Sequence, residues 1–535
     1  IRIFSLVLLF CNGAFAQKAT QLDSLIYQYY QANQPGVAVT VIHQSETVYT
    51  QRIGLANLEH QVPISDSTAF CLASVSKQFT AYLALLLAQE GKLDMQADIR
   101  DYLPELAELP YKITAVQLAN HTHGLPNVSE LVKVKGFGQA DRLWHRDVVD
   151  MALRIASINF RPGENYQYNN TGYVLLAEII ERQTDMPFQE ALEQYIFQPL
   201  GMTATLAESS PNQLVKNKAY SYALRNGEYY RYDSNIMTNG SAGIRTTIAD
   251  MTIWAKHFQA TFADSRSPFA RMVENSVLNN GERLAYGLGL ETKNYRGTRA
   301  VFHGGGTAGY RAYTLHLPEH NFSVVVLGNT NDYWPMKLAY EIVDLYLDKQ
   351  LQPVPTPTAI IPELEPYTGT YQQIPGTYLQ FATRNDSLFF STLLAEWEVY
   401  LEPLAAHTFA YPFYPEARFV FTSDRVELYI ANFAYEYPRA APVLQHYAPE
   451  ALTNFTGFYR NESLNTIYEI LVEDGELVAR HPINYDIKLR GLADDTFISQ
   501  VHFFGQLRFQ KDAVGQVTQF ELSAQHMKGL VFQKL

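Results

Sequence analysis

The sequence predicts a large mixed α/β domain followed by two small antiparallel β domains, each short enough to close into a barrel. Three observations carry this. Between residues 17 and 350, strand-like and helix-like segments alternate. Between 351 and 366 prolines accumulate (Pro353, Pro355, Pro357, Pro362, Pro366), as in a stiff exposed linker. Beyond it come short runs rich in Tyr, Phe and Thr, bounded by turn pairs such as Asn385-Asp386 and Asp474-Gly475. That tail repeats itself. Tyr367-Thr368-Gly369-Thr370-Tyr371 returns as Phe455-Thr456-Gly457-Phe458-Tyr459, each copy following a Pro-Glu pair, which divides the tail into residues 367–448 and 449–535. Closing each sheet on itself removes its exposed edges.

A chain of 535 residues has room for three or four domains at roughly 150 residues each. With 47% hydrophobic and 18% charged residues it is globular, which excludes a mainly disordered, collagenous or coiled-coil chain. The net charge of −13 and the lack of any dense Lys/Arg block exclude a nucleic-acid footprint. Residues 1–16 read as an export signal: Arg2, the apolar run from Ile3 to Phe10, then Ala14-Phe15-Ala16 as a cleavage site before Gln17. The expected location is therefore secreted or periplasmic. Bulky Phe10 ahead of Cys11 argues against lipid attachment there. Once the segment is removed Cys71 is the one cysteine left, so neither an internal disulfide nor a cysteine-based zinc site is expected. No other stretch holds 18 uncharged apolar residues, so no membrane span is expected.

Three stretches of the α/β region carry candidate chemistry. After the strand Gly36–Ile42, a helix from Ser76 to Glu90 is closed by Gly91, and Ser74 and Lys77 stand three apart at its start, on one face. A lysine whose pKa falls through burial or neighbouring cations can take the serine's proton, with the helix N-terminus adding positive potential. Alone, the pair is better read as a helix start with a solvated lysine. Tyr168 and Asn170 precede the apolar helix Val174–Ile180 in a capping loop. A phenol beside a cationic lysine can shuttle protons and an amide can bind a substrate amide; otherwise they are a packing residue and a helix cap. The third stretch, Phe302-His303-Gly304-Gly305-Gly306-Thr307, leads into a hairpin through Leu315–Leu317 and Phe322–Leu327. Its glycines either let a substrate backbone lie against a strand with a main-chain N–H aimed at an oxyanion, or simply form a turn.

Two rival chemistries use some of the same letters. His-Gly-Gly-Gly also marks the oxyanion loop of α/β-hydrolases, but the nearest nucleophile stretch, Asn239-Gly240-Ser241-Ala242-Gly243, lacks its first glycine and precedes the loop it should follow. His121-Thr122-His123 lacks the H-E-x-x-H helix of a metal hydrolase. No metal or organic cofactor is expected.

In order, Ser74-x-x-Lys77, Tyr168-x-Asn170 and His303-x-Gly305 resemble the serine β-lactamase and penicillin-binding-protein superfamily, on the branch of class C β-lactamases, D-aminopeptidases and related esterases. Further matches include Leu118–Pro126, Pro162-Gly163-Glu164, Pro199–Met202 and Gly243–Thr247. The resemblance implies a β-lactamase/transpeptidase-like catalytic domain, and the two-part tail resembles the three-domain D-aminopeptidase arrangement. It implies Ser74 as nucleophile, Lys77 as its proton acceptor and Tyr168 as acid/base. Asn170, His303 and Gly305 would bind substrate, with the N–H groups of Ser74 and Gly306 as oxyanion hole. Two positions depart from the pattern. His303 replaces a lysine, offering a neutral hydrogen bond where the family has a charge for a substrate carboxylate, and His123 replaces a small serine, altering the pocket wall.

The expected protein is an exported serine hydrolase cleaving an amide or ester of a small molecule or short peptide, D-amino-acid-containing by resemblance. The alternatives are a broad carboxylesterase or weak β-lactamase and, from another class, a non-catalytic binder of cell-wall fragments or lipids. Oligomeric state is not legible.

Overall fold

The computed structural model describes residues 17–138, 141–333, 335–353, 363–373, 376–395, 397–411, 417–430 and 433–535. The expected signal segment and most of the proline-rich linker lie outside those residues.

The α/β unit is built on a six-stranded antiparallel sheet. Its strands are β1 (Val37–His43), β2 (Glu46–Ile53), β3 (Glu291–Tyr295), β4 (Thr298–Thr307), β5 (Tyr310–Leu317) and β6 (Phe322–Gly328), in the order β3-β4-β5-β6-β1-β2. Strand β1 shows why its sequence is almost continuously apolar. Val37, Val39 and Val41 pack on one face with Leu338, Ile342 and Val343 of the helix Pro335–Leu347. Ala38 and Ile42 pack on the other, in the cluster that holds Phe79, Trp254 and Phe258. Both faces are covered, so alternation between polar and apolar residues disappears.

Helix α1 (Lys77–Gln89) lies within that second layer and is buried nearly all round, with Phe79 stacked 4.2 Å from Trp254. It ends as the sequence predicts, at Gly91, whose φ of +70° suits the position after a C-cap. Helices α2 (Val128–Val134) and α3 (Asn170–Thr184) complete the wall around the start of α1.

The tail forms two barrels. In the first, nine strands form one sheet whose outermost strands, Val399–Tyr400 and Glu402–Ala405, are joined through the single buried residue Leu401, so the sheet curls until it is nearly closed. The second is a closed eight-stranded barrel, sealed by Gly457–Asn461 against Met527–Lys534. The sequence repeat has a geometric cause. In each copy a short 3₁₀ turn leads to a glycine with positive φ, +125° at Gly369 and +138° at Gly457, and a tyrosine hydroxyl two residues later donates back to the turn. These are Tyr371 to the Tyr367 carbonyl (3.2 Å) and Tyr459 to the Phe455 carbonyl (2.7 Å).

The second barrel docks on α2. Tyr468 donates to the Val134 carbonyl at 2.9 Å, Asn484 to that of Lys133 at 3.0 Å, and Lys135 to that of Leu464 at 2.7 Å. The barrel core and the helical layer form one continuous apolar cluster.

Candidate active site

Ser74 lies on a 3₁₀ turn, Ala73–Ser76, that runs directly into α1. Ala73 before it has φ of +46°, a left-handed conformation that costs a residue with a side chain about a kilocalorie per mole or more and is held only by its surroundings. The three-residue spacing brings Lys77 Nζ to 3.0 Å from Ser74 Oγ. Lys77 is fully buried, and burial alone, with no cation beside it, drives its pKa well below the ordinary lysine value. Its other partners are both acceptors: Asn170 Oδ1 at 2.8 Å and the Ser241 carbonyl at 3.0 Å. A neutral amine has two N–H groups for those oxygens and one lone pair, which then faces the serine hydroxyl.

Tyr168 completes the group. It lines the cleft with Ser74, its ring centre lies 4.9 Å from Lys77 Nζ, and burial raises its pKa while the Ser74 hydroxyl acts to lower it. Burial disfavours charge on both, favouring a neutral amine and a protonated phenol.

Asn170 departs from its expected place. It is the first residue of α3, and the cap is Asn169, whose side chain accepts from Thr171 N at 2.7 Å. The Asn170 amide gives its oxygen to Lys77 and donates from Nδ2 to Ser129 Oγ at 2.9 Å, so it positions the lysine. His303 is likewise engaged. Nδ1 donates to the Gly304 carbonyl at 2.7 Å, leaving Nε2 to accept from the Tyr286 hydroxyl at 3.1 Å. The ring is 2% exposed and burial lowers its pKa to about 3, so it is neutral as expected, yet it offers no N–H to a substrate. His123 also lies elsewhere. It is buried behind α3, accepting from Leu125 N at 2.9 Å and packed against Gly172, and forms no part of the cleft wall.

The pairing of β4 explains the glycine run that follows His303. Strand β3 pairs with it only as far as Phe302, so residues 303–307 have a sheet partner on one side, β5, and pass over the Ser74 turn on the other. A Cβ on Gly305 would sit 2.2 Å from the Leu72 carbonyl and 3.2 Å from Ser74 N, so only glycine lets the strand come this close to the serine. Gly304 and Gly306 flank it, and both line the same cleft as Ser74.

The cleft has a volume of about 760 Å³. Both barrels reach it, the first through Leu428, Tyr435 and Tyr437, the second through the hairpin carrying Gln525 and His526. Two charged side chains in its wall escaped sequence reasoning. Arg311, opposite Gly306 in the β4–β5 pairing, donates to the Ala308 and Tyr310 carbonyls at 3.0 and 2.8 Å; Glu291 lies opposite Phe302. The register of β4 with its neighbours was the signal that could have found them. Ser241, the nucleophile of the rival α/β-hydrolase reading, is buried and donates its hydroxyl to the Thr238 carbonyl at 3.0 Å. Its contribution here is the backbone oxygen that holds Lys77.

A profile of the beta-lactamase family matches residues 16–347, well over half of the chain. The chain belongs to the beta-lactamase family. Among curated relatives, a D-aminopeptidase of Gluconobacter oxydans (strain 621H) is 28% identical over 296 residues, covering 55% of this chain and 56% of the relative. The chain thus spans little more than half the length of that protein. Penicillin-binding protein 4* of Bacillus subtilis (strain 168) is 28% identical over 413 residues, covering 70% and 87%. Among solved structures, the octameric penicillin-binding protein homologue from Pyrococcus abyssi superposes with a TM-score of 0.57 at 19% identity, covering 88% of this chain and 99% of its own. The D-amino acid amidase from Ochrobactrum anthropi SV3 in complex with L-phenylalanine gives 0.51 at 21% identity, covering 62% and 98%. Both structural likenesses speak to the fold.

Proposed function

We propose that the protein is a serine hydrolase that opens an amide or ester bond through an acyl-enzyme on Ser74. The observation that carries the reading is the setting of Lys77: a buried amine, held by two acceptor oxygens, with its third position on a serine hydroxyl. Ser74 Oγ attacks the substrate carbonyl carbon and its proton passes to Lys77 Nζ. The N–H groups of Ser74 and Gly306 are the proposed receptors for the oxyanion. The bond from the carbonyl carbon to the leaving nitrogen or oxygen then breaks as Tyr168 gives that atom its proton, which Lys77 returns to the phenolate. In the second half, water loses a proton to Tyr168 by the same path in reverse and attacks the ester carbonyl, and Ser74 departs with the proton held on Lys77. Both acid/base groups end as they began.

The D-aminopeptidase and amidase likenesses support small amides containing a D-amino acid as substrates. A second reading, toward substrates with a carboxylate such as β-lactams, is favoured by Arg311, a permanent cation in the cleft wall. We also propose export with cleavage before Gln17, on the strength of the Ala14-Phe15-Ala16 stretch; the N-terminal sequence of protein recovered outside the cytoplasm tests it.

The deciding experiment is intact-mass detection of a covalent adduct after exposure to D-amino-acid amides, short acyl esters, β-lactams and a serine-directed phosphonate. We expect labelling at Ser74 that Ser74→Ala abolishes together with turnover. A label that persists, or that maps to Ser241, would refute the assignment.

A further inference from the structure

Glu291 sits at the edge of the cleft with no part in acyl transfer. It starts strand β3 opposite Phe302, on that residue's face of the sheet and at the point where β3 stops pairing with β4, and it shares the wall of the cleft with Ser74, Tyr166 and Tyr168. Among the described residues its carboxylate has no hydrogen-bond or ion-pair partner. Lys293, two residues on, acts on it electrostatically but holds its ammonium 3.9 Å from the centre of the Tyr340 ring. Arg311 lies at the other end of the cleft wall, opposite Gly306, where it is bonded to backbone carbonyls.

An acid withdrawn from water without a partner is costly to ionise, and burial pushes the Glu291 pKa up to about 8. Glu291 shares the cleft wall with Tyr166 and Tyr168, and its charge acts on both phenols. A cation entering here would gain the carboxylate as partner and the faces of aromatic rings as lining.

From this geometry we propose that Glu291 is the receptor for a substrate ammonium group and sets a preference for cationic amides or esters. The inference rests on the hydrolase reading and adds to it the residue that selects the substrate. Glu291 touches the substrate's charge, not the reacting bond.

The test uses the full chain and two matched pairs that place the cation on either side of the scissile bond. D-Alanine p-nitroanilide is compared with propionyl p-nitroanilide, and butyrylcholine with its uncharged 3,3-dimethylbutyl analogue. In at least one pair the wild type should favour the cation by about ten- to a hundred-fold in kcat/KM, through a hydrogen bond to a charged group for the alanine ammonium and through ion pairing and cation–π contact for the quaternary one. Glu291→Gln should erase that ratio and Glu291→Asp should keep a measurable part of it. No preference in either pair, or a ratio that survives Glu291→Gln, overturns the proposal while leaving the hydrolase reading intact. If no compound is turned over and Ser74 takes no label, the hydrolase reading falls instead. Calorimetric binding of D-phenylalaninamide against 3-phenylpropionamide, to wild type and Glu291→Gln, then decides on Glu291 by itself: selective binding lost in the variant supports it, and equal binding refutes it.

Discussion

At Lys77, burial and hydrogen bonding act together: the first lowers the amine's pKa and the second points its lone pair at Ser74. The active form is the unprotonated amine, so kcat/KM should rise with pH as Lys77 loses its proton, on a limb that lies below the ordinary lysine value of 10.5. Lys77→Ala and Tyr168→Phe should each lower turnover by about 10²- to 10⁴-fold. The double variant should lose far less than the product, because the two residues pass one proton along one path. Multiplicative losses in steady-state kinetics would show that they act separately. At His303 the structure changes the expected effect of restoring a lysine. A lysine there would put an ammonium where the native ring is 2% exposed and would remove the acceptor for Tyr286. We therefore expect His303→Lys to lower the melting temperature without improving carboxylate substrates. Arg311→Gln should instead reduce kcat/KM for carboxylate-bearing substrates by about tenfold relative to neutral esters. A gain on carboxylates in His303→Lys would refute this reading of the two residues.

Strand β4 does its work by proximity. Alanine at Gly305 drives a Cβ into the Leu72 carbonyl, whereas at Gly306 the nearest atom is Arg311 Nη1 at 3.5 Å, an ordinary contact. Gly305→Ala should cost about 1–3 kcal/mol of stability and slow phosphonate labelling of Ser74, while Gly306→Ala should melt close to wild type. Equal melting temperatures would mean that the strand does not press on the serine turn. This element was legible in the sequence as a glycine run before a hairpin, and the helix starting at Lys77 as a capped apolar period. The repeat in the tail was legible because both copies need the same glycine conformation. Less was legible where the partner is backbone or distant. Nothing in the letters marks the Ser241 carbonyl as a ligand of Lys77, since every residue has a carbonyl. Asn169 and Asn170 are identical letters with opposite duties, separated only by where the helix begins. The strands that complete the first barrel, such as Val399–Tyr400, are too short to show a period of two.

Over the whole molecule the catalytic unit and the second barrel are bound into one body. The barrel hairpin is held from both sides, Asn127 N and Asn159 Nδ2 donating to the His526 carbonyl at 2.9 and 3.0 Å and Lys528 N donating to Asn159 Oδ1 at 3.0 Å. Contacts that join residues this far apart in sequence leave no local signature, which is why the reach of the barrels into the cleft could not be read from the chain. The same close packing has a consequence for acid stability. His123, His303 and His316 are at most 2% exposed, and burial lowers each pKa from 6.5 to about 3. Above pH 6.5 the rings are neutral in the folded and unfolded chain alike and cost nothing. Below it the unfolded chain takes up protons that the folded one refuses, so stability falls as the pH drops from 6.5 toward 3. Each ring contributes about 1.4 kcal/mol per pH unit in that window, about 4 kcal/mol per unit for the three. His316 isolates the effect, because it lies away from Ser74, stacked 4.0 Å from Phe258 with Nδ1 2.9 Å from Ser323 Oγ. Denaturant unfolding at pH 7.0, 6.0 and 5.0 should show the decline, and His316→Asn, which keeps a polar group for Ser323, should reduce its slope by about one histidine's share. A slope identical in wild type and variant would show that the His316 ring takes up its proton in the folded state, and the account of these buried rings as neutral would be wrong.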